Sequence, residues 1–137
     1  MGLILRIRMP IMVLMNLLYL IVFLAGLRYL STNSIMPYHA EFLGTDDLPV
    51  KFLELFLGGL RIIGAAFIAY SLLGIFEIRK LWKGQVASRS FFVFSSPIFI
   101  ATAYTTNMVG ELVGTSLFLS LGLLSLLVFT IASKQES

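Results

Sequence analysis

Apolar residues in this chain gather into four long blocks, at residues 10–30, 49–76, 91–108 and 111–132, separated by short polar stretches. A helix crossing a bilayer needs about 20 predominantly apolar residues, so each block reads as one transmembrane span. The first block is longer than the apolar core of a signal peptide, about 7–15 residues, and Ala25-Gly26-Leu27 makes a poor cleavage site. Pro10 suits the first turn of its helix.

The polar stretches organise the rest. Residues 31–49 carry Asn33, Pro37, Tyr38, His39, Glu41, Asp46 and Asp47, and residues 39–43 suit a short helix at the membrane surface. Asp46 or Asp47 is placed to cap the second span, with Pro49 in its first turn. Residues 77–90 read as a basic loop holding Arg79, Lys80, Lys83 and Arg89, with Trp82 as an interfacial anchor. Pro97 follows Ser95 and Ser96 inside the third span and predicts a kink there. The link at residues 107–111 is so short that spans three and four must form an antiparallel hairpin.

Composition strengthens this picture. Of 137 residues, 58% are hydrophobic and 12% charged, against roughly 45–50% and about 25% in soluble domains. The expectation is one domain, an all-α integral membrane four-helix bundle with short loops. The net charge of +3 follows topology, not nucleic acid. Arg6, Arg8, Arg79, Lys80, Lys83, Arg89 and Lys134 collect on one side of the spans, against Arg28 and Lys51 on the other. The positive-inside rule then puts both termini in the cytoplasm of a cell (inner) membrane. No internal repeat supports an inverted-repeat transporter.

Candidate chemistry is sparse. There is no cysteine and His39 is the one histidine, which excludes disulfides, bis-histidine haem and histidine-cluster metal sites. No metal or cofactor is expected. Arg61 stands inside the second apolar block, with Glu54 seven residues before it. Ionisable residues within a span are costly and mark sites by default. Positions three, four and seven from Arg61 include Gly58, Gly64 and Ala65, so a helix can approach closely and Arg61 is expected to face the bundle. The predicted site is a polar cluster of Arg61, Glu54, Asn107 and Glu111, with Arg28 or His39 above it. A purely structural role, fixing helix register or snorkelling to lipid phosphates, competes evenly with a ligand or partner. His39 with Glu41 makes a poor acid–base pair, having no nucleophile in a recognisable setting. Gly110/Gly114, Ala65/Ala69 and Ser116/Ser120 match the small-xxx-small pattern of close helix packing. The 12 phenylalanines suit core, lipid or a quinone equally.

Met36-Pro37-Tyr38-His39 after the first span, and Leu60-Arg61-Ile62-Ile63-Gly64 in the second, resemble small bacterial four-helix inner-membrane proteins whose general build is similar to DoxX-like proteins. That resemblance covers the order of spans and implies an inner-membrane four-helix bundle, with no firm activity. DoxX is associated with quinone-linked thiosulfate oxidation, and no residue pattern here carries that role over. The functional expectation is a non-enzymatic accessory or structural subunit, in contact with membrane lipid and with other membrane subunits or its own copies, and without a nucleic-acid partner. The alternative is a small carrier or lipid- or quinone-binding protein using Arg61 and Glu54.

Overall fold

The structure, a computed structural model, describes residues 2–44 and 49–133. Those residues form five helices and no strand: α1 (Gly2–Ser31), α2 (Pro37–Leu43), α3 (Val50–Trp82), α4 (Arg89–Met108) and α5 (Leu112–Ser133). Three helices are long and apolar enough to cross a membrane: α1 over Arg8–Ser31, α3 over Val50–Trp82 and α5 over Leu112–Thr130. The fourth expected span, α4, has 20 residues, about 30 Å at 1.5 Å per residue. It is less apolar because Ser95, Ser96, Pro97, Thr102, Thr105 and Thr106 interrupt it.

Element ends differ from the sequence reading in three places. Helix α1 begins at Gly2, so Pro10 lies inside it and not in its first turn. It falls in the first turn of the apolar stretch instead, where the one lost hydrogen bond is tolerated. Helix α3 runs to Trp82, so residues 77–82 are helical and the basic loop shrinks to the residues between Trp82 and Arg89. Hydropathy marks where apolar residues stop, whereas charged residues are good helix formers. Arg79 and Lys80 in the last turn of α3 also meet the negative dipole end. Pro49 sits at the N-cap of α3, one residue before its first turn; the proposed caps Asp46 and Asp47 lie outside the described residues. The expected short helix is present as α2, and α4 is unbroken across Pro97.

The long helices pack as two close pairs, α1 with α3 and α4 with α5. In the first pair the backbones meet. A Cβ on Gly64 would stand 2.7 Å from the Gly26 carbonyl oxygen, and one on Gly26 would stand 2.8 Å from that of Gly64. Lower down, the Tyr19 ring lies where a Cβ of Gly74 would go. In the second pair, Ser96 Oγ donates to the Gly122 carbonyl at 3.0 Å and the Thr106 and Thr115 hydroxyls meet at 3.1 Å. Both pairs are antiparallel, and the α4–α5 hairpin turns through Gly110 at φ +77°, a conformation only glycine adopts without strain. The expected small-residue stripes do not make these contacts. Ala65, Ala69, Ser116 and Ser120 are exposed, because the burying face of α3 runs through Leu57, Leu60, Gly64, Ser71, Gly74 and Ile78.

An aromatic layer joins the two pairs. Tyr19 of α1 packs on Phe91 and Phe99 of α4 at 6.5 and 6.1 Å between centroids. Tyr70 of α3 meets the same two rings at 6.4 Å. Phe67 of α3 reaches Phe118 of α5 at 5.1 Å. Each such pair is worth about 0.5–1.5 kcal/mol beyond its buried area.

A buried carboxylate ties α3 to α4. Glu77 accepts from Lys80 Nζ and from the Ser88 amide, each at 2.7 Å. Ser88 in turn caps α4 by accepting from the Phe91 amide.

Substitutions at the helix contacts give two opposite outcomes. Gly64→Val forces the α1 backbone away and is expected to lower stability by about 1–3 kcal/mol or more, the range for overpacking. Gly58→Ala, whose Cβ meets open space, is expected to be neutral or to stabilise by up to about 1 kcal/mol through helix propensity. Thermal unfolding in detergent reads both; equal loss in the two variants would contradict the contact.

Candidate functional site

At the end of the bundle covered by α2, all five helices surround a cavity of about 130 Å³. Its position follows from side-chain size. Below it Phe67, Phe99 and Phe118 fill the space between the helix pairs. Beyond Phe99 the positions that line the cavity become Thr102, Thr105 and Thr106 of α4 and Val109 at its C-cap, which leave room. Leu60 and Ile63 of α3 and Tyr29 of α1 close the side, while Tyr38 and His39 of α2 and Glu111 complete the wall.

The polar groups on that wall are mostly committed. The Tyr29 and Tyr38 hydroxyls lie 2.9 Å apart, and Tyr38 donates to Met36 Sδ at 2.8 Å. Burial, and then the bond to Tyr29, raise the Tyr38 phenol well above its ordinary range. The threonine hydroxyls bond carbonyls one turn back, as Thr102 does to Ile98 at 2.8 Å and Thr105 to Ala101 at 3.0 Å. Glu111 immediately precedes α5 and its Oε2 accepts from the Gly114 amide, so it caps the helix where the dipole favours a carboxylate.

His39 is different. Its ring is held between Tyr38, at 4.3 Å, and the edge of Phe56, at 5.1 Å. Its Nδ1 is buried and has no hydrogen-bond partner among the described residues. Desolvation lowers its pKa, favouring the neutral ring. His39 and Glu111 are the ordinary titratable side chains here, and no three histidine or acidic residues gather as a metal would require, among the described residues.

The structure divides the predicted polar cluster. His39 and Glu111 reach the cavity wall. Arg61, Glu54 and Asn107 are exposed and do not line it. The expectation that Arg61 faces the bundle is therefore corrected. Glu54 and Arg61 do share a helix face, but that face points outward with Ala65. Of the positions three, four and seven from Arg61, only Leu57 and Gly64 are among the buried residues of the packing face.

Helix register explains where Arg61 goes. Gly26 is level with Gly64, so the end of α1 at Ser31 falls near residue 59 of α3. Helix α3 therefore overhangs α1 by roughly nine residues, about 14 Å. Arg61 stands at the level of the last turn of α1, and its Nη2 donates to Asn33 Oδ1 in the link beyond α1 at 3.0 Å. This is snorkelling toward the helix end. The cavity expected to reach Arg61 exists but is lined by other residues. Asn107 serves the α4–α5 turn, where its carbonyl accepts from the Gly110 amide.

Sequence reasoning passed over Tyr29, Phe56 and the threonines of α4. The available signal was the polar spacing Thr102-x-x-Thr105-Thr106 in an otherwise apolar helix. Glu77 was also missed, although it is the one acid in a basic stretch. Comparison of the chain with protein-family models, curated proteins and solved structures finds no match.

The His39 ring sets a pH dependence with a definite sign. Its folded pKa lies below the unfolded value of about 6.5. Below pH about 6.5 the unfolded state binds more protons, so the docking of α2 weakens as pH falls toward the folded pKa and is complete above pH about 6.5. Protection of the α2 amides, the intrinsic exchange rate divided by the observed one, is expected to fall between pH 7.5 and 5. His39→Gln should remove that fall.

Proposed function

We propose that this protein is a multi-pass membrane protein that holds the ring or short-chain end of a lipophilic molecule in the cavity beneath α2. The observation that carries this reading is the cavity itself, lined by all five helices and partly open at Ile63 and Thr105, with a largely apolar wall and one uncommitted buried imidazole nitrogen, His39 Nδ1. Ligand sites are commonly apolar concavities with a few placed polar groups. An apolar cavity of about 150 Å³ accommodates benzene. A volume of about 130 Å³ therefore suits one ring or a few methylenes, with the remainder of the molecule outside. A quinone head group, which offers two carbonyl acceptors, pairs with His39 in the tautomer that carries its proton on Nδ1. The protein binds and does not convert its ligand in this reading.

The wider setting belongs to the same proposal. Helices α1, α3, α4 and α5 form a four-helix bundle in a cell (inner) membrane, in build like the DoxX-like proteins. The ends rich in lysine and arginine lie in the cytoplasm, and α2 with the cavity lies on the opposite side. A second reading, an accessory subunit of a larger membrane complex, is favoured by the outward face of α3. There Glu54 and Arg61 stand beside the exposed small residues Ala65 and Ala69, a surface that suits a partner helix carrying its own carboxylate.

A short-tailed benzoquinone titrated into the purified protein tests the first reading through tyrosine fluorescence, since Tyr29 and Tyr38 are in the wall. Saturable quenching is expected in the wild type, and Thr105→Phe, which fills the cavity, should weaken it at least tenfold. Arg61→Leu should leave it unchanged. Equal quenching in wild type and Thr105→Phe would defeat the cavity reading. Loss of co-purifying membrane subunits in Arg61→Leu would favour the accessory reading.

A further inference from the structure

The opposite end of the bundle carries a second concavity, unrelated to the cavity beneath α2. A groove of about 440 Å³ runs along the surface between α1 and α3. Its walls are Val13, Leu17 and Leu20 of α1 and Ile75 of α3, and its far end is formed by Arg79 and Trp82. Asn16 stands on the same wall.

The polar groups of this groove are available. Lys80 is neutralised by Glu77 at 2.7 Å. Arg79 is exposed, and its guanidinium has no ion pair or hydrogen bond among the described residues. Asn16 uses one amide proton on the Met12 carbonyl at 3.0 Å, which leaves its oxygen and second proton free. Trp82 is half exposed, and its indole offers one donor.

Polarity along the groove has a direction. Tyr19 is level with Gly74, so the Leu20 end lies toward the middle of the bundle and the Arg79 end toward its edge. From Val13 to Leu20 the apolar wall runs roughly 10 Å. A lipid lying in the leaflet has the same order: head group at the edge, ester carbonyls next, acyl chain toward the middle. Guanidinium binds phosphate oxygens in a two-pronged fashion, and tryptophan favours the interface.

We propose that this groove is a binding site for one phospholipid with an anionic head group, its phosphate on Arg79 and Trp82 beside Val13, an ester on Asn16 and an acyl chain along Leu17, Leu20 and Ile75. The inference rests on the reading of α1 and α3 as membrane helices. It is independent of any ligand beneath α2.

The experiment begins with flotation of the full chain on phosphatidylcholine vesicles. A chain that fails to float overturns the membrane reading and the lipid site together. Delipidated protein is then offered equal amounts of phosphatidylglycerol and phosphatidylcholine with the same chains, and retained lipid is read by native mass spectrometry. The wild type is expected to hold one phosphatidylglycerol with a preference of roughly tenfold, the scale of one charge-assisted contact. Arg79→Gln should abolish the preference, Arg79→Lys should keep part of it, and Arg61→Gln at the other end should keep all of it. Leu17→Trp, at an exposed position, should lower retention of both lipids. Equal retention of the two lipids by the wild type, or an undiminished preference in Arg79→Gln, overturns the site while leaving the membrane reading intact.

Discussion

The backbone contact between Gly26 and Gly64 sets the geometry of the molecule. In lipid, apolar side chains gain nothing by leaving the solvent, so helices associate through packing and hydrogen bonds. A glycine-to-glycine approach maximises packing and also fixes one axial register. From that register follow the overhang of α3, the level at which Arg61 emerges, and the surface on which α2 rests through His39 and Phe56. A one-turn slip would move Arg61 by about 5 Å, away from Asn33 and into the apolar zone.

Several buried polar groups are handled by the same economy. Ser71 bonds the Phe67 carbonyl of its own helix at 2.6 Å and Ser96 crosses to Gly122, whereas the buried Ser125 Oγ and Tyr19 Oη have no hydrogen-bond partner among the described residues. Glu77, the buried acid, is both ion-paired and bonded to a backbone amide. A buried charge is tolerated only when so paired and bonded. Of the buried groups without a partner, His39 Nδ1 is the one whose residue lines the cavity beneath α2.

What was legible in the sequence was whatever depends on local composition. Block length and apolarity give the helices, and the five-residue link gives the α4–α5 hairpin. The hidden parts depend on which helix face meets which neighbour. Arg61 illustrates the difference. Its small neighbours at i+3 and i+4 are real, but Gly64 packs on α1 while Ala65 faces outward, a difference of about 100° of helix rotation. Periodicity is uninformative where nearly every position is apolar, so the seam of α3 could not be separated from its lipid face. The cavity was hidden for a related reason, since it arises from a change of side-chain size across four helices that no single segment records.

The α2 roof links this geometry to access. The cavity is bounded by long helices on its sides and by an aromatic layer below, each fixed by contacts along its length. Helix α2 has seven residues, too few to persist without tertiary support, and it holds its place through the Tyr29–Tyr38 contact and the edge-to-face contact of His39 with Phe56. Local opening follows the least supported segment. The cavity is already partly open where the exposed Ile63 and Thr105 line it, so α2 is the least supported part of its wall and not its sole barrier. The same residues that line the cavity, Tyr38 and His39, are those that hold its roof. A ligand engaging them changes the stability of its own lid, so occupancy and closure are coupled through two adjacent side chains.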